Sequence, residues 1–137
     1  MNQRGFATLE VILMVMVIGI LASIAVPRFG NITAAANTAK IQSDLTTLDT
    51  AIAVYIMENG VPDKAPSLTT LAPYLKDSTT IKPPKGKALI NGNQLEIKGT
   101  DYGFQKIAIS NETNASNDWR ATLEMSDEVH TAGDFVK

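Results

Sequence analysis

The chain has 137 residues, 45% of them hydrophobic and only 19% charged, which suits one ordinary folded domain and excludes a wholly disordered chain. It has no cysteine and one histidine, His130, so disulfides, thiolate catalysis, cysteine-ligated metals and multi-histidine metal sites are excluded. A formal net charge of −2 offers no overall basic field for nucleic acid.

The hydrophobic residues are not spread evenly. Residues 6–26 form a 21-residue stretch whose only charge is Glu10, and Pro27 with Arg28 ends it. Roughly 20 apolar residues match the ~30 Å hydrocarbon core of a bilayer at 1.5 Å of helical rise each. Three readings compete. In a secretory signal peptide, Ser23-Ile24-Ala25 would be the small-x-small cleavage site and Arg4 the positive end. The length of the run and Glu10 speak against it, because a carboxylate in an apolar core costs about 2.5–3.5 kcal/mol on insertion scales. A plain membrane anchor explains the apolar run but leaves Glu10 and the short head Met1-Asn2-Gln3-Arg4-Gly5 without a purpose.

The third reading uses all of these residues. Arg4-Gly5-Phe6-Ala7-Thr8-Leu9-Glu10, followed at once by the apolar run, resembles the class III signal of type IV pilins and type II secretion pseudopilins. The resemblance covers residues 4–29 in motif and the remainder only in architecture. It implies that a prepilin peptidase cuts between Gly5 and Phe6 and methylates the new N-terminus at Phe6. Glu10 then falls where the family places its glutamate, and Gly19 and Pro27 where it commonly has a glycine and a proline.

The implied function is that of a structural subunit of a type IV pilus-like filament. Such a subunit is held in the inner membrane by a single span, head outside the cytoplasm, and ends in a periplasmic or extracellular filament. Its implied partners are copies of itself, minor pilins or pseudopilins, the peptidase, and an inner-membrane assembly platform with its ATPase. One alternative is a pseudopilin of a type II secretion or competence system. Another, of a different class, is a single-pass anchored binding domain that never polymerises.

Elementary electrostatics agrees with the motif. Cleavage at Gly5 creates a cationic amine about one helical turn from Glu10. A buried carboxylate is tolerated chiefly when paired, and one-turn stagger between subunits lets one chain's amine meet its neighbour's Glu10 and set register. The other reading has Glu10 facing lipid headgroups. Gly19 weakens a helix by about 1 kcal/mol and Pro27 removes a hydrogen bond, so the residues between them are able to bend; equally, Pro27 marks only where the helix leaves the bilayer.

Beyond Pro27, Ile41, Leu45, Leu48, Ile52 and Tyr55 recur at steps of four, three, four and three, one apolar stripe on a helix. Asn59-Gly60 followed by Val61-Pro62 stops it. The expected organisation is therefore a leader at 1–5, a transmembrane and filament-core helix at 6–27, its amphipathic continuation at 28–59 and a globular head at 60–137.

Within the head, 63–66 reads as a polar loop. Ser67 is a suitable N-cap for a short helix through Leu68, Leu71 and Leu75, interrupted by Pro73. A proline-broken basic loop occupies 82–87. Strands are expected at 88–90 and 94–98 about an Asn91-Gly92-Asn93 turn, at 105–110, and at 119–125, where Trp119, Ala121, Leu123 and Met125 alternate with polar residues. The fold class is α+β: a long N-terminal helix packed on a small antiparallel sheet of three or four strands, with Trp119 in the core and His130 exposed in a polar tail.

Charge is uneven along the chain. Residues 60–110 carry seven basic and four acidic groups, and residues 111–137 two basic and six acidic. These opposite patches suit pairing between stacked subunits or simple solvation. Lys82, Lys85 and Lys87 have no interleaved aromatics, so nucleic acid is not an expected partner. Asp118, Asp127, Glu128 and Asp134, with Asn111, Asn114 and Asn117, are hard oxygen ligands and weak calcium candidates, the first three above all. They match no 12-residue calcium loop, and no cofactor is expected. The Asn-x-Ser/Thr triplets at Asn31, Asn111 and Asn114 are read as chance. No nucleophile, base and orienting group cluster, and no glycine-rich phosphate loop occurs, so no catalysis is expected.

Overall fold

Alanine-rich, stripe-bearing sequence yields one α-helix, α1, over Gln3–Asn59 in the computed structural model, which describes residues 3–107 and 118–135. The chain divides into two units, Met1–Thr33 and Ala34–Lys137. In the first, every large apolar side chain described is exposed, and the helix is by length and composition apolar enough to cross a membrane.

The second unit is a helix-on-sheet head. Gly60, at φ +82°, ends α1, and its N–H donates to the Ile56 carbonyl at 2.8 Å, the left-handed cap expected there. Ser67 caps a short α2, Leu68–Leu71, by accepting from Thr70 N–H at 3.2 Å. The α-helix does not run on to Leu75. A 3-10 turn, Ala72–Tyr74, takes over with Pro73 near its start, because proline cannot donate the α-helical bond.

Five short strands follow: β1 Lys87–Ile90, β2 Asn93–Glu96, β3 Gly103–Ile107, β4 Asp118–Met125 and β5 Glu128–His130. β1 and β2 form a hairpin in which Ile90 pairs with Asn93. Its two-residue turn has Asn91 and Gly92 both at positive φ, the twist-matched geometry that Asn-Gly favours. β3, β4 and β5 make an antiparallel sheet in that order. The two pieces join where Ile97 bridges Met125 and the N–H groups of Lys98 and Gly99 both donate to the Glu124 carbonyl, at 3.2 and 3.0 Å. The part of the expected third strand at 108–110 lies outside the described residues, as do Asn111, Asn114 and Asn117.

The stripe read from the sequence is the helical side of the core. Ile41, Leu45, Leu48 and Ile52 are buried against Leu71, Ala121, Leu123 and Met125, each large aliphatic contributing about 1.5–3 kcal/mol. Two expectations need correction. Trp119 is half-buried at the rim of the core, where its indole N–H donates to the Pro62 carbonyl at 3.0 Å. His130 is buried, not exposed. It sits in β5 opposite Leu123, and a 3-10 turn, Ala132–Phe135, lies beside it with Phe135 edge-on at 6.3 Å.

Candidate functional site

The candidate site is the first unit of α1, where an all-apolar surface carries one carboxylate. Phe6 is 74% exposed, and residues 9–26 present Leu, Val, Ile and Met on every side of the helix. Glu10 is exposed and shares a shallow surface with Leu13, Met14, Val17 and Ile18, the i, i+3, i+4, i+7 and i+8 positions of one face. Among the described residues, no ion pair or hydrogen bond involves Glu10. A carboxylate with no internal partner on an apolar surface takes its partner from outside the chain or stays at the edge of the apolar phase.

The hydroxyl side chains of this unit are satisfied by their own helix. Thr8 Oγ1 donates to the Arg4 carbonyl at 2.9 Å, Ser23 Oγ to Ile20 at 2.7 Å and Thr33 Oγ1 to Phe29 at 3.0 Å. They therefore add little cost when water is removed.

Gly5 and Gly19 both lie within α1, and a Cβ at either would meet nothing within 4 Å. Packing inside the chain thus requires neither glycine, although Gly19 costs helix stability. Pro27 also falls inside α1.

The weak calcium candidates do not converge. Asp118 opens β4, whereas Asp127 and Glu128 lie just past its far end, about 23 Å away by strand rise. Asp127 Oδ1 is held 2.6 Å from Lys98 Nζ, and among the described residues no three acidic or histidine side chains gather as metal ligands.

Side chains that fasten α1 to the head were not singled out from the sequence. Asp49 accepts from the Ala121 N–H at 2.8 Å and from Arg120 at 3.0 and 2.9 Å. Asp44 accepts from the Tyr102 hydroxyl at 2.7 Å and pairs with Lys40. Burial and this acidic acceptor push Tyr102 well above the usual tyrosine range. Asn37 Nδ2 donates to the carbonyls of Lys85 and Lys87 at 3.2 and 2.9 Å, and Thr38 exchanges hydrogen bonds with Leu89. The available signal was a polar residue beside an inward stripe position, which the sequence alone also permits at a solvated edge.

Comparisons with known proteins point one way. The chain is 31% identical over 105 residues to the type II secretion system core protein G of Pectobacterium carotovorum subsp. carotovorum, covering 74% of this chain and 65% of that protein. It is 35% identical over 63 residues to the type IV narrow pilus major component PilA5 of Thermus thermophilus, covering 45% and 54%. It is 32% identical over 62 residues to a type IV major fimbrial protein FimA of Dichelobacter nodosus, covering 45% and 39%. The chain thus spans less than two thirds of the length of each. No protein-family model and no solved structure matches it.

Proposed function

The chain belongs to the family of type IV pilins and type II secretion pseudopilins, and from that premise we propose that it is the subunit of a type IV pilus-like filament. The observation that carries this is the exposed apolar unit with Glu10 as its single carboxylate, lying directly behind Gly5 and Phe6. A surface so apolar belongs in lipid or against other helices. Held first in the inner membrane, the helix exchanges lipid for neighbouring copies as the filament grows. In that transfer apolar surface stays covered throughout, so the directional term is the pairing of Glu10.

Leader removal supplies what Glu10 lacks. Cutting between Gly5 and Phe6 exposes an amine that, methylated or not, is cationic at neutral pH. Paired across a one-turn stagger, amine and carboxylate desolvate together and resist axial slippage, while any other stagger leaves both buried and unpaired. Gly19 and Pro27 then allow the intervening turns to adjust to neighbours. Minor subunits, an assembly platform and its ATPase complete the proposed set of partners.

A second reading has support of its own. The relative sharing the longest alignment described above is a secretion-system core protein, which favours a secretion pseudopilus over a surface pilus. Peptide mass mapping of the chain recovered from peptidase-bearing membranes tests the common core of both readings. An N-terminus at methylated Phe6 is expected. Retained Met1, or a start at Val26 from signal-peptide cleavage, rejects the proposal.

A further inference from the structure

Along β4, Leu123 and Met125 face the core, so Thr122 and Glu124 point to the opposite face of the sheet. There Gly103 stands across from Thr122, and Val129 across from Glu124. With Gly99 and Asp101 they line an open pocket of about 260 Å³. Thr122 is only 2% exposed, yet its hydroxyl makes no hydrogen bond among the described residues, and what remains accessible of it opens into this pocket. The glycine opposite keeps it open, since a Cβ at Gly103 would stand 3.0 Å from Thr122 Oγ1. The Glu124 carboxylate has no ion pair or hydrogen bond among the described residues, and Asp101 accepts only from the neighbouring Thr100 hydroxyl, at 3.2 Å. A nearly buried hydroxyl without a partner points to a ligand, and two carboxylates beside it make that ligand a cation.

The chemistry suits a lysine side chain. An ammonium carries three N–H donors, and the two carboxylates with Thr122 Oγ1 are three acceptors. Val129, 46% exposed, offers apolar surface to the methylene stem. A calcium ion takes about six to eight converging oxygens, whereas no three acidic or histidine side chains gather among the described residues. The lysines flanking these strands are engaged elsewhere. Lys98, which feels the charge of Glu124, is held by Asp127 at 2.6 Å, and Lys106 lies over the Trp119 ring at 5.2 Å.

On the same head, Lys82 and Lys85 are exposed and enter no ion pair among the described residues, whereas Lys87 lies across from Glu96 in the β1–β2 hairpin. Their loop is already fixed. The Asn37 amide donates to the Lys85 carbonyl at 3.2 Å, and Gly86, at φ +105°, sets the bend into β1. A pre-fixed loop loses little entropy on docking. An acceptor pocket and a donor loop on different parts of one surface make a heterologous contact, which repeats from copy to copy as an open helix instead of closing a pair. A filament needs that symmetry.

We propose that the outer face of β3, β4 and β5 is an interface between heads, in which Asp101, Thr122 and Glu124 receive a lysine from the 82–85 loop of the next copy. This rests on the filament reading above and adds to it a contact outside the apolar helix.

Cross-linking between copies tests the contact. Full chains bearing Pro84→Cys and full chains bearing Thr100→Cys are co-expressed in peptidase-bearing cells, and sheared filaments are treated with a short bismaleimide. The chain has no cysteine of its own, so every link between these chains joins two copies. Peptide mass mapping should find position 84 linked to position 100. Adding Asp101→Asn and Glu124→Gln to the Thr100→Cys chain should lower that linked fraction about fivefold, the factor for one exposed ion pair at its strongest. Half-molar salt should lower it likewise. Filaments linked only 84 to 84 or 100 to 100, or not at all, overturn the contact and leave the filament reading standing. So does an 84-to-100 link that neither the neutral variants nor salt changes. A link from Thr100→Cys to a different protein overturns the second copy as occupant. Absence of filaments from the parent chain overturns the filament reading and this contact with it.

Discussion

Ile18 is 65% exposed and Ile41 is fully buried, although both are isoleucines in the same α-helix. The carboxylates divide in the same way. Asp44 and Asp49, in the head, accept hydrogen bonds from Tyr102, Arg120 and a backbone N–H, whereas Glu10 has no such partner among the described residues. Ala34–Lys137 therefore carries its own apolar and polar partners, while Met1–Thr33 presents both kinds of group uncovered. The difference teaches that helix propensity sets the backbone in both units, but only the head is a solved packing problem. The other unit, on the proposed function, is half of an interface whose second half is lipid or another chain.

Substitutions that strike one unit and spare the other sharpen that comparison. The largest stability effect belongs to the head core. Leu45→Ala should cost about 2–5 kcal/mol by lost transfer energy and an unfilled cavity, read as a lower urea midpoint, with membrane insertion unchanged. Asp49→Ala leaves the Ala121 N–H and Arg120 without their acceptor and should cost about 2 kcal/mol by the same assay.

Tyr102 gives a smaller, pH-dependent effect. Its folded-state pKa is raised by burial and by Asp44, so above about pH 10 the unfolded chain ionises first. The stability it contributes is fully present below that pH and is lost as pH climbs toward the folded value. Tyr102→Phe should cost about 1 kcal/mol at pH 8 and flatten the decline between pH 9 and 11. The smallest effect is that of the exposed Lys98–Asp127 pair. Hydrogen bonding to Asp127 raises Lys98 above its usual range, yet Lys98→Ala should leave the midpoint unchanged within error.

Much of this contrast could be read without coordinates. Periodicity named Ile41, Leu45, Leu48 and Ile52 as one buried stripe, and Asn59-Gly60 and Asn91-Gly92 marked real turns, because each signal is local chemistry. β5 escaped for the same reason. Its turn is Ser126-Asp127, both at positive φ without glycine or asparagine, and it is held by tertiary contacts: Ser126 exchanges hydrogen bonds with Glu96, and Asp127 pairs with Lys98. A three-residue strand whose turn is held by partners about 30 positions away leaves no pattern of its own, and His130 was misplaced with it. At the candidate site, Gly5, Phe6 and Glu10 were legible as a motif. That no neighbour inside the chain needs Gly5 or Gly19 was not, since open space around a backbone leaves no mark in the sequence.

The claim that Met1–Thr33 acts between chains and the head within one is tested most directly through Glu10. Filaments sheared from cells carrying Glu10→Ala should be at least about tenfold scarcer than from the parent, because register is lost when the amine has no partner. The variant's membrane level and head melting temperature should match the parent's. Filament yield equal to the parent's would contradict the account.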